Sequence, residues 1–260
     1  QALSDHTRAV LPYVLTLMGR EREAATTLPD IKDTGSMGYW IAEMVTIHRT
    51  FTSGHVAEAH ARLNDAASRW VRTGMTIRHY PSPWILEMLA EFDRVALAPI
   101  PGYAFPDELE RILSGPNIHL KGVGLRLKAR RERSDRKKQA CLIQSETCLT
   151  ASGDPLELSK TRIELARLFL TKGDRRQALA QTLKVREGLT GLGERFFPDD
   201  LRHLLPADDR GAQSSVSDSR ALTGLLDMLT ALIPSPDVHD LLGQVVLAAG
   251  GYVRAERAGL

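Results

Sequence analysis

Three histidines close together are the first candidates for metal chemistry. His48, His55 and His60 cluster in the sequence, and Glu58 lies between the last two. A zinc site on one helix needs two histidines four residues apart with a glutamate beside the first, so that both imidazoles face the ion. His55 and His60 are five residues apart, which separates them by about a turn and a half of helix. We therefore expect no metal site, and ordinary surface or groove histidines instead.

Side chains that could perform catalysis lack the context that catalysis needs. The serines do not stand in the strand-turn-helix setting of a nucleophile elbow, and no pair of Asp or Glu residues has a supporting motif. The phosphate-binding pattern Gly-x-x-x-x-Gly-Lys-Ser/Thr does not occur in the sequence. We therefore expect a chain that is not an enzyme, with no catalytic residues and no cofactor.

A run of positive charge is the strongest electrostatic feature of the sequence. Residues 121–138 contain nine Lys and Arg residues, against only Glu132 and Asp135. Such a run can clamp nucleic acid or an acidic protein, but the interleaved aromatics of single-strand binders are absent. We expect mainly a solvated helix face, with protein contact ahead of DNA and no direct nucleic-acid binding. The candidate basic patch is Arg126, Lys128, Arg130, Arg131, Arg133, Arg136, Lys137 and Lys138.

The two cysteines and the hydropathy pattern indicate a compartment. Cys141 and Cys148 lie seven residues apart in a helical pattern, so roughly 10 Å of helix axis separates them, too far for a disulfide. We interpret them as small packing residues of a reduced protein. No apolar run is long enough to cross a bilayer and no signal-peptide pattern is present. These features predict a cytoplasmic protein without membrane contact, and the final residues predict a piece of a longer chain.

Two stretches share the pattern of a helical hairpin, and they define the elements that position these side chains. In each stretch an apolar helix face leads to a glycine, Gly54 or Gly173, and an alanine follows five residues later, at Ala59 or Ala178. The glycine supplies the turn, and the small alanine lets the antiparallel helices approach closely. With aromatics at only 5% and abundant Leu and Ala, the sequence predicts an all-α fold.

Helical periodicity predicts a series of helices along the chain. One begins at Ser82 and Pro83, and its apolar face would run through Ile85, Met88, Leu89, Phe92 and Val95. A proline-rich loop over residues 99–106 must follow. The other predicted helices cover residues 3–22, 38–53, 55–72, 106–113, 119–133, 136–151, 156–171 and 175–189.

The hairpins resemble tetratricopeptide-type repeats, which pack helical hairpins into a solenoid. Gly54 and Gly173 are 119 residues apart, close to three and a half periods of about 34 residues, so the array must be degenerate. In this family the first helix of each hairpin lines a concave peptide-binding groove. The resemblance therefore implies a partner-binding groove formed by Met44, His48, Phe51, Lys160, Ile163, Arg167 and Leu170. Packing of the same side chains against neighbouring repeats is an equal alternative.

The C-terminal region resembles a different module. Residues 208–220 are polar and predict a flexible linker, and a leucine-rich helix follows from Leu222 to Ile233. The last residues, from Ala255 to Leu260, resemble the entry into a GAF sensory domain. The combination resembles the N-terminal half of bacterial sigma-54-dependent transcriptional regulators, which continue into an AAA+ ATPase and a helix-turn-helix. The predicted domains are residues 1–195 (repeats), 208–220 (linker) and 221–260 (linker helix and truncated GAF-like start).

The resemblance implies a non-catalytic region for signal sensing and protein interaction. Its groove would bind a protein or peptide, with a small ligand as the alternative occupant, and would relay that state to the downstream domains. A standalone scaffold for complex assembly, or a nucleic-acid-binding repeat using residues 121–138, remain alternative functions. The apolar helix from Leu222 to Ile233 could pack on the repeats, on the next helix or on a second chain in a homodimer.

Overall fold

A computed structural model describes residues 12, 13, 15, 16, 20–28, 37–72, 83–190 and 196–206. These ranges contain helices and no strand, which confirms the all-α prediction. The predicted linker over residues 208–220, the helix from Leu222 to Ile233 and the GAF-like segment lie outside the described residues. Within the described ranges, each helix is too short or too polar to span a bilayer.

Most of the described helices follow the predicted ones closely; the exceptions are the helix Glu21–Thr27, which begins after a non-helical Arg20 where one helix over residues 3–22 is predicted, and the helix Asp199–Arg202. Helices predicted at residues 38–53 and 175–189 are observed as Met37–Thr52 and Arg175–Leu189, so the periodicity located their ends within a residue or two. The described helices are α1 (Glu21–Thr27), α2 (Met37–Thr52), α3 (Val56–Arg72), α4 (Pro83–Arg94), α5 (Phe105–Ser114), α6 (Ile118–Arg131), α7 (Asp135–Ser152), α8 (Pro155–Thr171), α9 (Arg175–Leu189) and α10 (Asp199–Arg202). The short α10 was not predicted.

Contacts within the chain define two compact units, residues 1–111 and residues 112–260. In the first, α2 and α3 form a hairpin, and α4 packs against both helices. Trp40 and Trp70 stack between the hairpin's helices, with ring centroids 4.9 Å apart. Gly54 turns the chain with a left-handed φ of 85°, and the fully buried Ala59 allows the close approach that its position predicts.

The second unit contains two hairpins, α6 with α7 and α8 with α9, and α7 also packs on α8. Gly173 forms the α8–α9 turn with φ 76°, and Ala178 is fully buried against α8. At the crossing of α6 and α7, a methyl group on Gly122 would lie 2.6 Å from Cγ of Leu149. A glycine is therefore needed there for the two helices to touch.

Side-chain caps explain where the helices of the second unit begin. Asn117 accepts a hydrogen bond from the Leu120 amide at 3.0 Å and caps α6. Asp154 accepts from two amides of α8, at 2.9 and 3.0 Å, and Pro155 occupies the first turn. Asp174 caps α9 by accepting from the Gln177 amide at 3.0 Å. These residues satisfy amides that have no partner inside a helix.

One predicted apolar position is wrong. Val95 was expected on the buried face of α4, but it is 39% exposed. The helix ends at Arg94, and Ala96 adopts a left-handed φ of 58°. The chain therefore leaves the helical register before Val95 can reach the core, whereas Phe92, one turn earlier, is buried.

Buried hydroxyl groups join three helices in the second unit. The Ser145 hydroxyl on α7 donates to the Gly122 carbonyl on α6 at 2.7 Å. It also lies 2.9 Å from the Thr161 hydroxyl on α8. Both side chains are fully buried, so these bonds satisfy polar atoms that water does not reach.

The two cysteines are free and half-buried. Both lie on α7, and burial raises the pKa of the Cys141 thiol. Cys141 packs at the edge of the apolar cluster that contains Leu142 and Leu165, which is the packing role that its sequence position indicated.

Candidate partner-binding face

A row of polar side-chain contacts follows α8, mostly between α6 and α8, and we call it the first-helix face because each of these helices is the first of its hairpin. The row consists of His119 with Asp154, Glu157 with Arg126 and Lys160, Arg130 with Glu164, and Arg167 with Asp200 on α10. Its first members lie at the start of α8 and its last near the end of that helix. Exposure increases along the row, so its two ends have different roles.

The first contact of the row is buried. Nδ1 of His119 lies 3.5 Å from Oδ2 of Asp154, and both side chains are less than a tenth exposed. The other carboxylate oxygen of Asp154 caps α8. Burial, followed by the nearby charge of Glu157, raises the pKa of Asp154. This contact places the His119 ring beside the start of α8, but no hydrogen bond joins it to Asp154.

The second contact is a buried ion pair. Nη2 of Arg126 donates to Glu157, and these side chains are 0% and 4% exposed. Nζ of Lys160 donates to the other Glu157 oxygen at 2.7 Å. Burial alone would raise the pKa of Glu157, but the charges of Arg126 and Lys160 lower it to about 2. Glu157 is therefore an anion that balances two cations, and the pair has a structural role.

The last two contacts form the open end of the face. Nη2 of Arg130 lies 2.7 Å from Glu164, with the arginine side chain 50% exposed. Arg167 donates from two nitrogens to the two Asp200 oxygens, both at 2.8 Å, and these side chains are 50% and 53% exposed. Hydrogen bonding from Arg167 lowers the pKa of Asp200.

The open end can exchange its ionic partners. Exposed ion pairs contribute about 0–1 kcal/mol, so a ligand carboxylate can replace Glu164 or Asp200 at little cost. Ile163 and Leu170 are half-buried on α8, at helical spacing from Arg167. The arrangement offers arginine donors beside partly accessible apolar surface, which suits binding and not bond-breaking chemistry.

The structure places the predicted groove residues in two different settings. Lys160, Ile163, Arg167 and Leu170 all lie on α8, and Leu170 also packs at the edge of the apolar cluster containing Leu165. Their role in partner binding stays a prediction.

The predicted groove residues of the first unit lie toward α4. The His48 ring stacks on Trp84 with centroids 3.8 Å apart, and Phe51 meets Phe92 edge-on at 6.2 Å. Met44 is only 4% exposed, so its predicted place in an accessible groove is wrong. Helix α4 provides aromatic surface that packs against this side of α2, as in the alternative in which these side chains pack against a neighbouring repeat.

The predicted basic patch loses one member. Arg126 is fully buried in its pair with Glu157, because α6 directs this position toward α8 and away from solvent. Lys128, Arg130, Arg131, Arg133, Arg136 and Lys137 are exposed, and Lys138 is half-buried. The exposed cations surround the turn between α6 and α7.

A cavity of about 380 Å³ opens in the first unit. Its polar lining includes Tyr39, Glu43, Asp65 and Arg69. Arg69 binds all three of these side chains, donating to the Tyr39 hydroxyl at 2.8 Å and to Asp65 at 3.0 Å. The cationic group is thus engaged by the protein itself, and the cavity offers a ligand little unsatisfied charge.

The three clustered histidines of the sequence, His48, His55 and His60, have separate surroundings in the fold. Nε2 of His60 lies 2.7 Å from the Ala98 carbonyl, His48 stacks on Trp84, and His55 is exposed. Among the residues described, no group of three His, Cys, Asp or Glu side chains is arranged to hold a metal ion.

The anions of the first-helix face were not recognised in the sequence. Glu157 and Glu164 are seven residues apart, two turns of one helix face, and this spacing is the signal that could have found them. Asp200 lies 33 residues beyond Arg167 in a helix that was not predicted, so no local pattern indicates that pair.

No known protein family, curated protein or solved structure matches this chain.

Proposed function

We propose that this chain is a non-catalytic protein-interaction region that binds an extended peptide segment along the first-helix face of its second unit. One observation carries the proposal: at the open end of the face, half-exposed Arg130 and Arg167 pair with Glu164 and Asp200, and half-buried Ile163 lies one turn from Arg167 on α8. Arginine, like Trp and Tyr, is enriched among the residues that dominate the binding energy of protein interfaces.

The chemistry of this surface specifies the partner. Carboxylates of the partner would take the positions of Glu164 and Asp200 on the two arginines, and an apolar side chain between them would cover Ile163. Guanidinium groups bind carboxylates through paired hydrogen bonds. Because Arg167 already holds Asp200 in this way, its donors point to a position that a partner carboxylate can occupy. The partner is therefore an acidic peptide segment with an apolar residue among its acidic ones.

We further propose that binding is relayed to sensory and ATPase domains of a bacterial sigma-54-dependent regulator. This part rests on the resemblance of residues 221–260 to a linker helix and a GAF entry. A relay requires the partner to prefer one of two states of the helical array. Reading the gene beyond the codon for Leu260 tests it, since GAF and ATPase domains would support a regulator. A stop codon would favour the alternative, a standalone scaffold.

Charge substitution on the face tests partner binding. We expect Ile163→Glu or Arg167→Glu to reduce, at least about tenfold, the amount of partner protein that co-purifies with the tagged chain from its native cells. A tenfold change corresponds to about 1.4 kcal/mol of binding free energy. Leu183→Glu is the matched control, because Leu183 is also partly exposed, at 41%, but lies on α9. Circular dichroism checks that each variant is folded. Equal recovery with all three variants would contradict the proposal.

A further inference from the structure

A continuous positive surface lies at one end of the second unit, on two hairpin turns. We call it the basic edge. It consists of Lys128, Arg131, Arg133, Arg136, Lys137 and Lys138 around the α6–α7 turn, and Lys172, Arg175 and Arg176 around the α8–α9 turn. Apart from the half-buried Lys138, all of these residues are exposed. The second turn was not part of the basic run found in the sequence.

Two observations join the turns into one surface. Nζ of Lys172 donates to Oε1 of Gln139 at 2.8 Å, which links the end of α8 to the start of α7. Beneath them, a single apolar cluster contains Ala129 from the end of α6, and Phe169 and Ala178 from the helices that flank the second turn. Side chains more than thirty residues apart in the sequence therefore lie side by side.

The charge of the edge differs from that of the chain. Residues 128–138 and 172–176, which hold the nine cations of the edge and also Arg130 of the first-helix face, contain ten Lys and Arg residues against three Asp and Glu residues, a formal charge of +7. The whole chain has a net charge of +2, so the remaining residues sum to −5. Among the residues described, ion pairs engage Arg130 but none engages Arg133, Arg136 or Lys137.

Helix stability does not explain these positions. Cations at the end of α6 interact favourably with the helix dipole, but Arg136, Lys137 and Lys138 lie in the first turn of α7, and Arg175 and Arg176 in that of α9. Cations at a helix N-terminus are unfavourable, typically by about 0.3–1 kcal/mol each. Five such residues weaken the two helices, which is consistent with a binding role for the edge.

From these observations we infer that the basic edge binds the phosphate backbone of double-stranded nucleic acid without sequence preference. Protein interfaces need apolar or aromatic anchors, whereas the exposed large apolar residues described, Val95, Ile118, Ile143 and Leu183, all lie outside the edge. The edge also has no aromatic residue for stacking single-stranded bases and no apolar residue for inserting into a membrane. A duplex carries one charge per 1.7 Å and needs only cations.

Fluorescence anisotropy of a labelled mixed-sequence duplex with the 260-residue chain tests this inference over a salt series. We expect a Kd of about 10⁻⁴–10⁻⁶ M. The logarithm of the association constant should fall linearly with the logarithm of the salt concentration, with a slope of about −0.9 for each phosphate contacted. Replacing Arg133, Arg136 and Lys137 by glutamine should weaken binding at least about tenfold and should reduce the magnitude of the salt slope by about 2.7. The control replaces Arg62, Arg94 and Arg111, each paired with a glutamate on its own helix.

The control variant has the same net charge as the edge variant and should bind like the unmodified chain. Equal weakening in both variants would show only a general charge effect and would overturn the inference. Binding by the unmodified chain that does not change with salt concentration would also overturn the inference. This outcome does not depend on whether the variants fold. Polyglutamate that displaces the duplex at equal charge concentration would assign the edge to an acidic protein instead.

Discussion

Replacing Glu157 by glutamine is expected to lower the free energy of unfolding by about 3–5 kcal/mol. The substitution removes the carboxylate that pairs with Arg126, whose side chain is 0% exposed. Breaking a buried ion pair by removing one partner leaves a buried charge that water cannot stabilise, and the cost has this magnitude. Chemical denaturation followed by circular dichroism measures the change.

Glu164→Gln is the matched control, because it changes the same residue type on the same helix. Its partner Arg130 is 50% exposed, so we expect a loss of no more than about 1 kcal/mol. Replacing Arg126 and Glu157 together by methionine should recover most of the stability lost by Glu157→Gln, since apolar residues of similar volume can replace a buried pair. Equal losses for Glu157→Gln and Glu164→Gln would mean that the buried pair has no special structural role.

The same pair makes stability depend on pH in one direction. The pKa of Glu157 is about 2 in the folded chain, below its ordinary value of 4.5. The unfolded chain therefore takes up the proton first as pH falls. The stabilisation is complete above pH 4.5 and is lost progressively toward pH 2. The Glu157→Gln variant should be less stable at neutral pH, and its stability should change less with pH in this range. Because the charge of Glu157 contributes to the raised pKa of Asp154, the variant also changes how Asp154 titrates.

The second large effect is expected where α6 crosses α7. Gly122→Ala places a methyl carbon 2.6 and 2.9 Å from two Leu149 atoms and 3.3 Å from Cβ of Cys148. Overpacking of a core contact costs about 1–3 kcal/mol, which outweighs the gain of about 1 kcal/mol that alanine gives in a helix. We expect a net loss of up to about 2 kcal/mol, measured as a lower denaturation midpoint at unchanged m-value.

A compensating variant distinguishes overpacking from other causes. Leu149→Ala alone should cost about 2–5 kcal/mol by leaving a cavity, but combined with Gly122→Ala it should cost less than the sum, because the new methyl enters that space. Gly188→Ala is the control, since its nearest neighbour is the Ser159 hydroxyl at 2.9 Å, a small group that can rotate away. Additive losses at Gly122 and Leu149 would contradict the close-packing explanation.

Much of the fold could be predicted because it is encoded locally. Gly54 and Gly173 adopt the left-handed conformation that a helical turn requires, and Ala59 and Ala178 are fully buried as their spacing indicated. Each of these features depends on residues within one or two turns of each other. Helix ends were therefore located well, including the proline start of α4 at Pro83.

The candidate face could be predicted only in part, because its contacts join distant residues. The run of cations predicts a surface position for Arg126, although Val123 and Leu127 beside it on α6 are buried. Its partner is 31 residues away, so charge counting alone cannot identify the pair. The burial of Met44, which is only 4% exposed, likewise does not follow from its position in the hairpin pattern.

The two ends of the first-helix face depend on each other. The buried pair of Arg126 with Glu157 holds the first turn of α8 against α6, and this fixes where the later turns of α8 present Ile163 and Arg167. A partner segment would then meet a surface whose geometry is already set, which reduces the entropy that binding must overcome.

Site-specific photo-crosslinking tests partner binding on this face most directly. A photoreactive amino acid would be placed on α8 at position 164, whose carboxylate the partner would replace, so that Arg130, Ile163 and Arg167 stay intact. In control chains it would be placed at Ile143 on α7 and Leu183 on α9, which are 48% and 41% exposed. After illumination in the native cells, we predict one discrete adduct from position 164 that maps to an acidic segment of a single protein. We predict no such adduct from the controls. Adducts of equal yield from all three positions, or an adduct from the controls alone, would contradict partner binding on the first-helix face.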